Sequence, residues 1–229
     1  MFGLSVMVTV IFKNTFMIIN SADSIDSTTL LALALFGVLA SSCGQVTVSG
    51  SDASCALAFT TETEGKALGL NDGALGGGDL AQSFTLTEAK TVSQVQLKLR
   101  RVGMTSSSFQ GHTASLGIES NNTSTGKPSG TALSTSDATL AVTLISTTPG
   151  FYTFTFSSSV SLAAGIYWLR LKASYPTSSD SKNLIQWVAH DGSNGAYSDG
   201  SAAYKPLSTE VWETGAIGTL IDLLFKVGC

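Results

Sequence analysis

Alternation of apolar and polar side chains is the feature that most restricts how this chain can fold. Over residues 92–100, Val95, Leu97 and Leu99 alternate with amide and cationic side chains. Successive side chains of a β-strand point to opposite faces, so this pattern predicts a strand with one buried face and one solvated face. The sequence contains no long amphipathic helix with 3.6-residue spacing. The chain is therefore predicted to fold from strands.

Seven further segments show a similar pattern, namely residues 81–86, 114–118, 138–144, 151–156, 166–172, 184–188 and 220–226. Clusters of Gly, Ser, Asn, Asp and Pro separate them, as at residues 121–128 and 146–150. About eight short strands with turns between them predict an all-β fold, an antiparallel β-sandwich of the jelly-roll type. No repeat of fixed period is present, which argues against a solenoid or a propeller.

An apolar run over residues 30–40 divides the chain. These eleven residues carry no polar side chain and are followed by Ser41, Ser42, Cys43 and Gly44. The run is too short to cross about 30 Å of hydrocarbon, and an apolar core closed by small residues is typical of a secretory signal. We expect residues 1–42 to be a hydrophobic export leader, 43–65 an anchor and flexible tether, and 66–229 the sandwich. A buried helix over residues 30–40 is the alternative.

The cysteine that closes this run resembles the lipobox of bacterial lipoproteins. The resemblance implies cleavage before Cys43, lipid on its sulfur and new amino group, and a lipid-anchored location in the bacterial cell envelope or on the outer-membrane surface. Two features depart from the family pattern. Ala40 stands where the family usually has Leu, and Asp23 and Asp26 precede the apolar run in place of Lys or Arg. An ordinary cleaved signal is therefore also open.

Cysteine use fits an exported chain. If Cys43 carries lipid, Cys55 and Cys229 remain, and an oxidising compartment would pair them. The termini of a β-sandwich often lie close together, so we predict a Cys55–Cys229 disulfide. Closing so long a loop would stabilise the fold by at most about 5 kcal/mol. Two unpaired thiols are the alternative.

Charge and motifs exclude several classes of function. The formal net charge is -4 and only 12% of residues are charged, so there is no basic surface for nucleic acid. Nucleophile, zinc-protease and phosphate-loop motifs are missing, and the only histidines are His112 and His190. Glu210 and Glu213 flank Trp212, but no pair of carboxylates is nominated for glycoside hydrolysis. The sequence predicts no enzyme, and an undetected glycan-active enzyme is the less favoured alternative.

Several short segments occur in an order found in a known group of modules: residues 81–84, 95–99, 126–130, 154–156, 162–168 and 222–225. With them, residues 70–229 resemble the jelly-roll β-sandwich modules of bacterial surface proteins and phage structural proteins, which are similar to carbohydrate-binding domains. The resemblance implies a fold. It does not select one function, because such folds host many.

Residues 185–204 combine aromatic, carboxylate and amide side chains in a glycine-rich segment. Aromatic rings cover the C–H face of a sugar, and carboxylates and amides bind its hydroxyls. We therefore predict ligand contacts from eight residues: Trp187, His190, Asp191, Asn194, Tyr197, Asp199, Tyr204 and Trp212. A core position for Trp187 and Trp168, and structural roles for Tyr197 and Trp212, are the alternative.

No cofactor is expected, although a structural calcium ion is an open alternative, with oxygen ligands from Asp72, Asp79, Asp191, Asp199 and Asp222. The leading prediction is a non-enzymatic, exported, lipid-anchored surface module that binds a glycan or another surface ligand. The second is a structural or assembly protein of the cell envelope or of a phage-like particle.

Overall fold

A computed structural model describes residues 8–12, 15–19, 57–63, 66–73, 77–103, 111–137, 139–175, 184–191, 197–214 and 221–228. The chain divides into two compact units, residues 1–44 and 45–229. The first contains an antiparallel hairpin of β1 (Val8–Phe12) and β2 (Thr15–Ile19). The predicted signal core at 30–40 and all three cysteines lie outside the described residues. No helix in the described ranges is both long and apolar enough to span a membrane.

The second unit consists of strands arranged in two antiparallel sheets. Its described strands are β3 (Leu57–Phe59), β4 (Ala67–Gly69), β5 (Gly78–Leu86), β6 (Lys90–Val102), β7 (Thr113–Asn122), β8 (Lys127–Thr135), β9 (Leu140–Ala141), β10 (Gly150–Leu162), β11 (Gly165–Ala173), β12 (Leu184–Asp191), β13 (Ala202–Pro206), β14 (Ile221–Leu223) and β15 (Phe225–Val227).

The two sheets form a sandwich, which confirms the predicted fold class. The seven-stranded sheet has the order β14-β12-β6-β15-β3, with β10 also paired to β6 and β4 to β12. The six-stranded sheet has the order β13-β5-β11-β7-β8, with β9 also paired to β7. The chain repeatedly passes from one sheet to the other, as expected for a jelly-roll type of sandwich.

The predicted count of about eight strands is too low, because the described part of the second unit has thirteen. Two of the missed strands, β3 and β4, have three residues, too few to show alternation, and the predicted segment 220–226 covers β14 and most of β15. The sequence pattern does not predict β8, because residues in its middle are exposed on both faces and their composition is typical of a polar turn. β3 also lies inside the segment predicted as a tether, where Phe59 is buried and pairs with Phe225.

The core lies between the sheets and follows the alternation of the long strands. Val95, Leu97 and Leu99 of β6 are fully buried, as the sequence predicts, and Leu169 and Leu171 of β11 meet them from the other sheet in one continuous apolar cluster. Burying each such side chain contributes about 1.5–3 kcal/mol. This leaves the even-numbered side chains of β11 on the outer face of the six-stranded sheet.

Gly78, at the start of β5, should not tolerate a side chain. Its φ is +133°, and a Cβ there would lie 1.7 Å from the carbonyl oxygen of Lys205 on β13. We expect Gly78→Ala to lower the free energy of unfolding by about 2–4 kcal/mol, measured by urea denaturation.

Gly150→Ala is the control. Its nearest neighbour would be a Tyr152 ring atom at 3.7 Å, an ordinary contact. The free energy of unfolding should change by less than about 1 kcal/mol. Equal effects of the two substitutions would contradict the close β5–β13 approach.

Candidate functional site

Arg170 projects from the middle of β11 on the outer face of the six-stranded sheet. Its neighbours in register are Ala81 on β5 and Gly117 on β7. Because these two residues are small, the long Arg170 side chain can lie along the sheet surface between the flanking strands. The guanidinium thereby reaches acidic side chains on both neighbouring strands.

The Arg170 guanidinium is held by two carboxylates. Its Nε and Nη2 donate to Oδ2 of Asp79 at 2.8 and 2.5 Å, and its Nη1 donates to Oε1 of Glu119 at 2.8 Å. The other Glu119 oxygen accepts the backbone N–H of Gly130 at 2.7 Å. Glu119 is fully buried and the other two side chains are 13% exposed. Each buried charge is therefore compensated, as low-dielectric surroundings require.

The carboxylates also keep Arg170 charged. Burial acts to lower the pKa of the guanidinium, but the hydrogen bonds and negative charges of Glu119 and Asp79 outweigh it and raise the pKa above its ordinary value. The group is a permanent cation at any pH the protein meets.

Two tryptophans cover this face beside Arg170. Trp168, Trp212, Ala81 and Ala203 form a second, smaller apolar cluster. The Arg170 guanidinium lies 5.6 Å from the centre of the Trp212 ring, within cation–π range. Trp168 Nε1 also donates to Oδ1 of Asn121 at 3.0 Å. The outer face is therefore packed and fixed in geometry.

A cavity of about 350 Å³ opens next to the Arg170 network. Its volume falls in the range of small-molecule sites. It is lined by Asn71, Asp79, Arg170, Lys172, Ala173, Tyr175, Lys205, Pro206, Leu207 and Glu210.

One wall of the cavity is fixed by Tyr175. Its hydroxyl donates to the carbonyl of Leu70 at 2.7 Å and accepts the backbone N–H of Ile185 at 3.1 Å. Its own carbonyl accepts Nδ2 of Asn71 at 2.7 Å. Burial raises the pKa of the Tyr175 hydroxyl well above its ordinary value. The hydroxyl is therefore a constant structural donor.

The opposite wall carries a more loosely held ion pair. Lys205 Nζ lies 2.5 Å from Oε2 of Glu210, whose side chain is 67% exposed. Lys172 is also exposed on this cavity, and it forms no ion pair within the described part of the chain. The lining thus combines a rigid polar floor with the exposed Lys172 and with Lys205, whose side chain is 19% exposed.

Three of the aromatic residues predicted to contact a ligand are buried. Trp187 is fully buried in the main core, and its Nε1 donates to the carbonyl of Leu224 at 2.8 Å. Tyr204 is 1% exposed and donates to the carbonyl of Gly77. Trp212 is 7% exposed within the smaller cluster. The faces of these rings are covered by protein.

Tyr197 and His190 pack beside the core. The Tyr197 ring lies 5.6 Å from that of Phe59, and its hydroxyl accepts the backbone N–H of Thr85 at 3.2 Å. His190 is 6% exposed, with Nδ1 3.0 Å from Oγ1 of Thr63.

The remaining predicted contacts are polar. Asp191 forms a surface ion pair with Lys66 at 2.8 Å, and the carbonyl of Asp199 accepts Oγ1 of Thr85 at 2.7 Å. Asn194 lies outside the described residues. None of the seven predicted residues that the structure describes lines the cavity.

The aspartates considered for calcium are distributed over different contacts. Asp79 binds Arg170, and Asp222 accepts Gln82 Nε2 at 3.3 Å and the backbone N–H of Tyr197 at 3.0 Å. In the described ranges, no group of three His, Cys, Asp or Glu residues could hold a metal ion.

Sequence reasoning missed Arg170, Lys172 and Lys205. The available signal was the alternation in β11, in which Arg170 and Lys172 follow Trp168 on the face opposite the leucines. That pattern also describes an ordinary solvated face. Only the strand order brings Asp79 and Glu119 to either side of Arg170.

No protein-family model matches this chain, and a search of curated proteins found no match.

Removing Arg170 should destabilise the fold, because two carboxylates would lose their cation. We expect Arg170→Met to lower the free energy of unfolding by about 3–5 kcal/mol, measured by urea denaturation. Arg170→Lys should recover part of this loss, since one ammonium cannot reproduce the fork-shaped contacts to Asp79 and Glu119.

Lys66→Met is the matched control, because its ion pair with Asp191 is exposed. It should cost less than about 1 kcal/mol. An Arg170→Met effect as small as that of the control would show that the network is not formed.

Stability should fall at alkaline pH because buried tyrosines resist ionisation. Burial raises the pKa of Tyr204 to about 12, whereas an unfolded tyrosine ionises near pH 10. Between these values the unfolded state releases a proton that the folded state keeps, so the free energy of unfolding decreases as pH rises.

The decrease can be measured by urea denaturation from pH 9 upward, with tyrosinate absorbance as a second readout. Tyr204→Phe should make the decrease shallower, whatever its effect at neutral pH. The same slope in both proteins would contradict the assignment to Tyr204.

Proposed function

We propose that this chain is a non-enzymatic, exported surface module that binds a glycan in the cavity beside Arg170. The observation that carries the proposal is a cavity of about 350 Å³ whose polar floor is fixed by buried ion pairs and hydrogen bonds. A rigid lining limits the conformational entropy that is lost when a ligand binds.

The mixture of groups in the lining favours a sugar over an apolar ligand. The lysine ammonium groups of the lining can donate hydrogen bonds to sugar hydroxyls. The carboxylates of Asp79 and Glu210 can accept hydrogen bonds from sugar hydroxyls. Pro206 and Leu207 add apolar surface at the rim for the C–H groups of a sugar ring. Ligand sites typically join apolar surface to a few fixed polar groups in this way.

The state of the lining carboxylates supports binding without catalysis. Asp79 is committed to Arg170. The hydrogen bond and positive charge of Lys205 lower the pKa of Glu210. A general acid for glycoside cleavage needs a raised pKa, and the shift of Glu210 is in the opposite direction.

Leu207 provides a test of the cavity. It is 52% exposed at the rim, and Leu144 on the turn after β9 is 64% exposed and outside the cavity. A glycan array on the full-length chain should identify binders, and Leu207→Ala should weaken their binding about fivefold through lost apolar contact.

Leu144→Ala should leave affinity unchanged in the same titration calorimetry experiment. Absence of any glycan binder would refute the proposed function. Equal effects of the two leucine substitutions would place the site elsewhere on the surface.

We also propose the disulfide and the lipid anchor as parts of this function. β15 and β3 are antiparallel neighbours, with Phe225 opposite Phe59 and Val227 opposite Leu57. Cys55 and Cys229 each stand two residues along the chain from this Leu57–Val227 pair, which supports the proposed disulfide.

The intact mass of the natively expressed protein tests both modifications at once. Cleavage before Cys43 should remove residues 1–42, and the remaining chain should carry lipid. It should also weigh two hydrogens less than the reduced form, a difference that reducing agent abolishes. Full-length mass without lipid would refute the anchor, and no change on reduction would refute the disulfide.

An assembly protein is the second candidate, supported by β8 at the edge of the six-stranded sheet. Leu133 on this edge is 51% exposed. Pro128 and two register shifts against β7 interrupt the strand, however, and such features limit edge-to-edge pairing. Light scattering after size-exclusion chromatography separates the candidates, because assembly requires oligomers that grow with concentration.

A further inference from the structure

We propose that the cavity selects glycans bearing an anionic group, a carboxylate or a sulfate, and that Lys172 is the residue that binds it. This rests on the proposed glycan-binding function and specifies its ligand class.

One lining cation without a carboxylate partner among the described residues points to an anionic ligand. Three cations line the cavity, and Arg170 among them is shared between Asp79 and the buried Glu119. Lys205 is paired with Glu210. Lys172 is the lining cation that has no carboxylate within 4 Å in the described ranges.

The backbone of Lys172 is held in the sheet, although its side chain is exposed. It lies on β11, two residues beyond Arg170 and therefore on the same face. β11 is paired on both sides, with Leu171 opposite Leu80 of β5 and Lys172 opposite Ser115 of β7. The backbone beneath this charge is thus held by two ladders of hydrogen bonds.

Lys205 offers a second, displaceable contact. Its partner Glu210 is 67% exposed, and an ion pair to so exposed a carboxylate is weak. An anionic group on a ligand can replace Glu210 beside Lys205. Arg170 cannot be released in this way, because Asp79 and Glu119 would then be left buried without a counter-charge.

The test compares glycans that differ only in charge. Oligogalacturonate and its methyl ester probe the carboxylate, and a sulfated glycosaminoglycan and its desulfated form probe the sulfate. With the full-length chain in titration calorimetry, one acidic form should bind about tenfold more tightly than its neutral partner. Added salt should reduce that advantage.

Variants assign the effect to individual residues. Lys172→Gln should remove the preference for the acidic form, because it should weaken binding of that form much more than binding of the neutral form. Glu210→Gln should strengthen binding of the acidic form, since it frees Lys205 and removes a negative charge. Lys90→Gln is the control, because Lys90 pairs with Glu88 away from the cavity and should have no effect.

The outcomes separate this inference from the proposed function. Binding of neutral and acidic forms with equal affinity would overturn the charge selection and leave glycan binding standing. Equal loss of both forms in Lys172→Gln would also overturn it. No binding of any glycan would overturn the proposed function and this inference together.

Discussion

The buried guanidinium of Arg170 is the constraint around which the outer face of the six-stranded sheet is organised. A cation with so little solvent exposure requires carboxylates as partners. Here the carboxylates come from β5 and β7, the two strands on either side of β11. The need for charge compensation therefore ties three adjacent strands together. Replacing such a network by apolar side chains of similar volume is often neutral for stability, so its role is to fix geometry as much as to stabilise.

The six-stranded sheet is packed on both faces by different chemistry. Its inner face carries leucines such as Leu169 and Leu171 against the other sheet. Its outer face carries Trp168, Trp212 and the ion pairs. Lys127 Nζ also donates to the carbonyl of Trp212 at 2.6 Å, which fixes the segment after β13 over the sheet. The cavity lies beside Arg170, and its lining reaches Ala173 at the end of β11.

The sequence predicted the sandwich because long strands such as β6 carry enough alternating positions to reveal their buried face. It did not predict the Arg170 network or the cavity beside it, and the reason is physical. Asp79 and Glu119 lie 91 and 51 residues from Arg170, and no local pattern identifies partners so far apart. The aromatic residues predicted as ligand contacts are also structural. Trp187 and Tyr204 have polar groups, but these groups donate to backbone carbonyls inside the fold.

The strand order has a consequence for the time at which this fold can form. β15, the last of the described strands, occupies an interior position of its sheet, between β6 and β3. A growing chain cannot complete that sheet until β15 has been synthesised, so residues 95–97 of β6 lack their β15 partners until then. Pairing segments so distant in sequence also carries the entropy cost of closing a long loop. Completion of the seven-stranded sheet is therefore a late step, which follows the synthesis of all the other described strands.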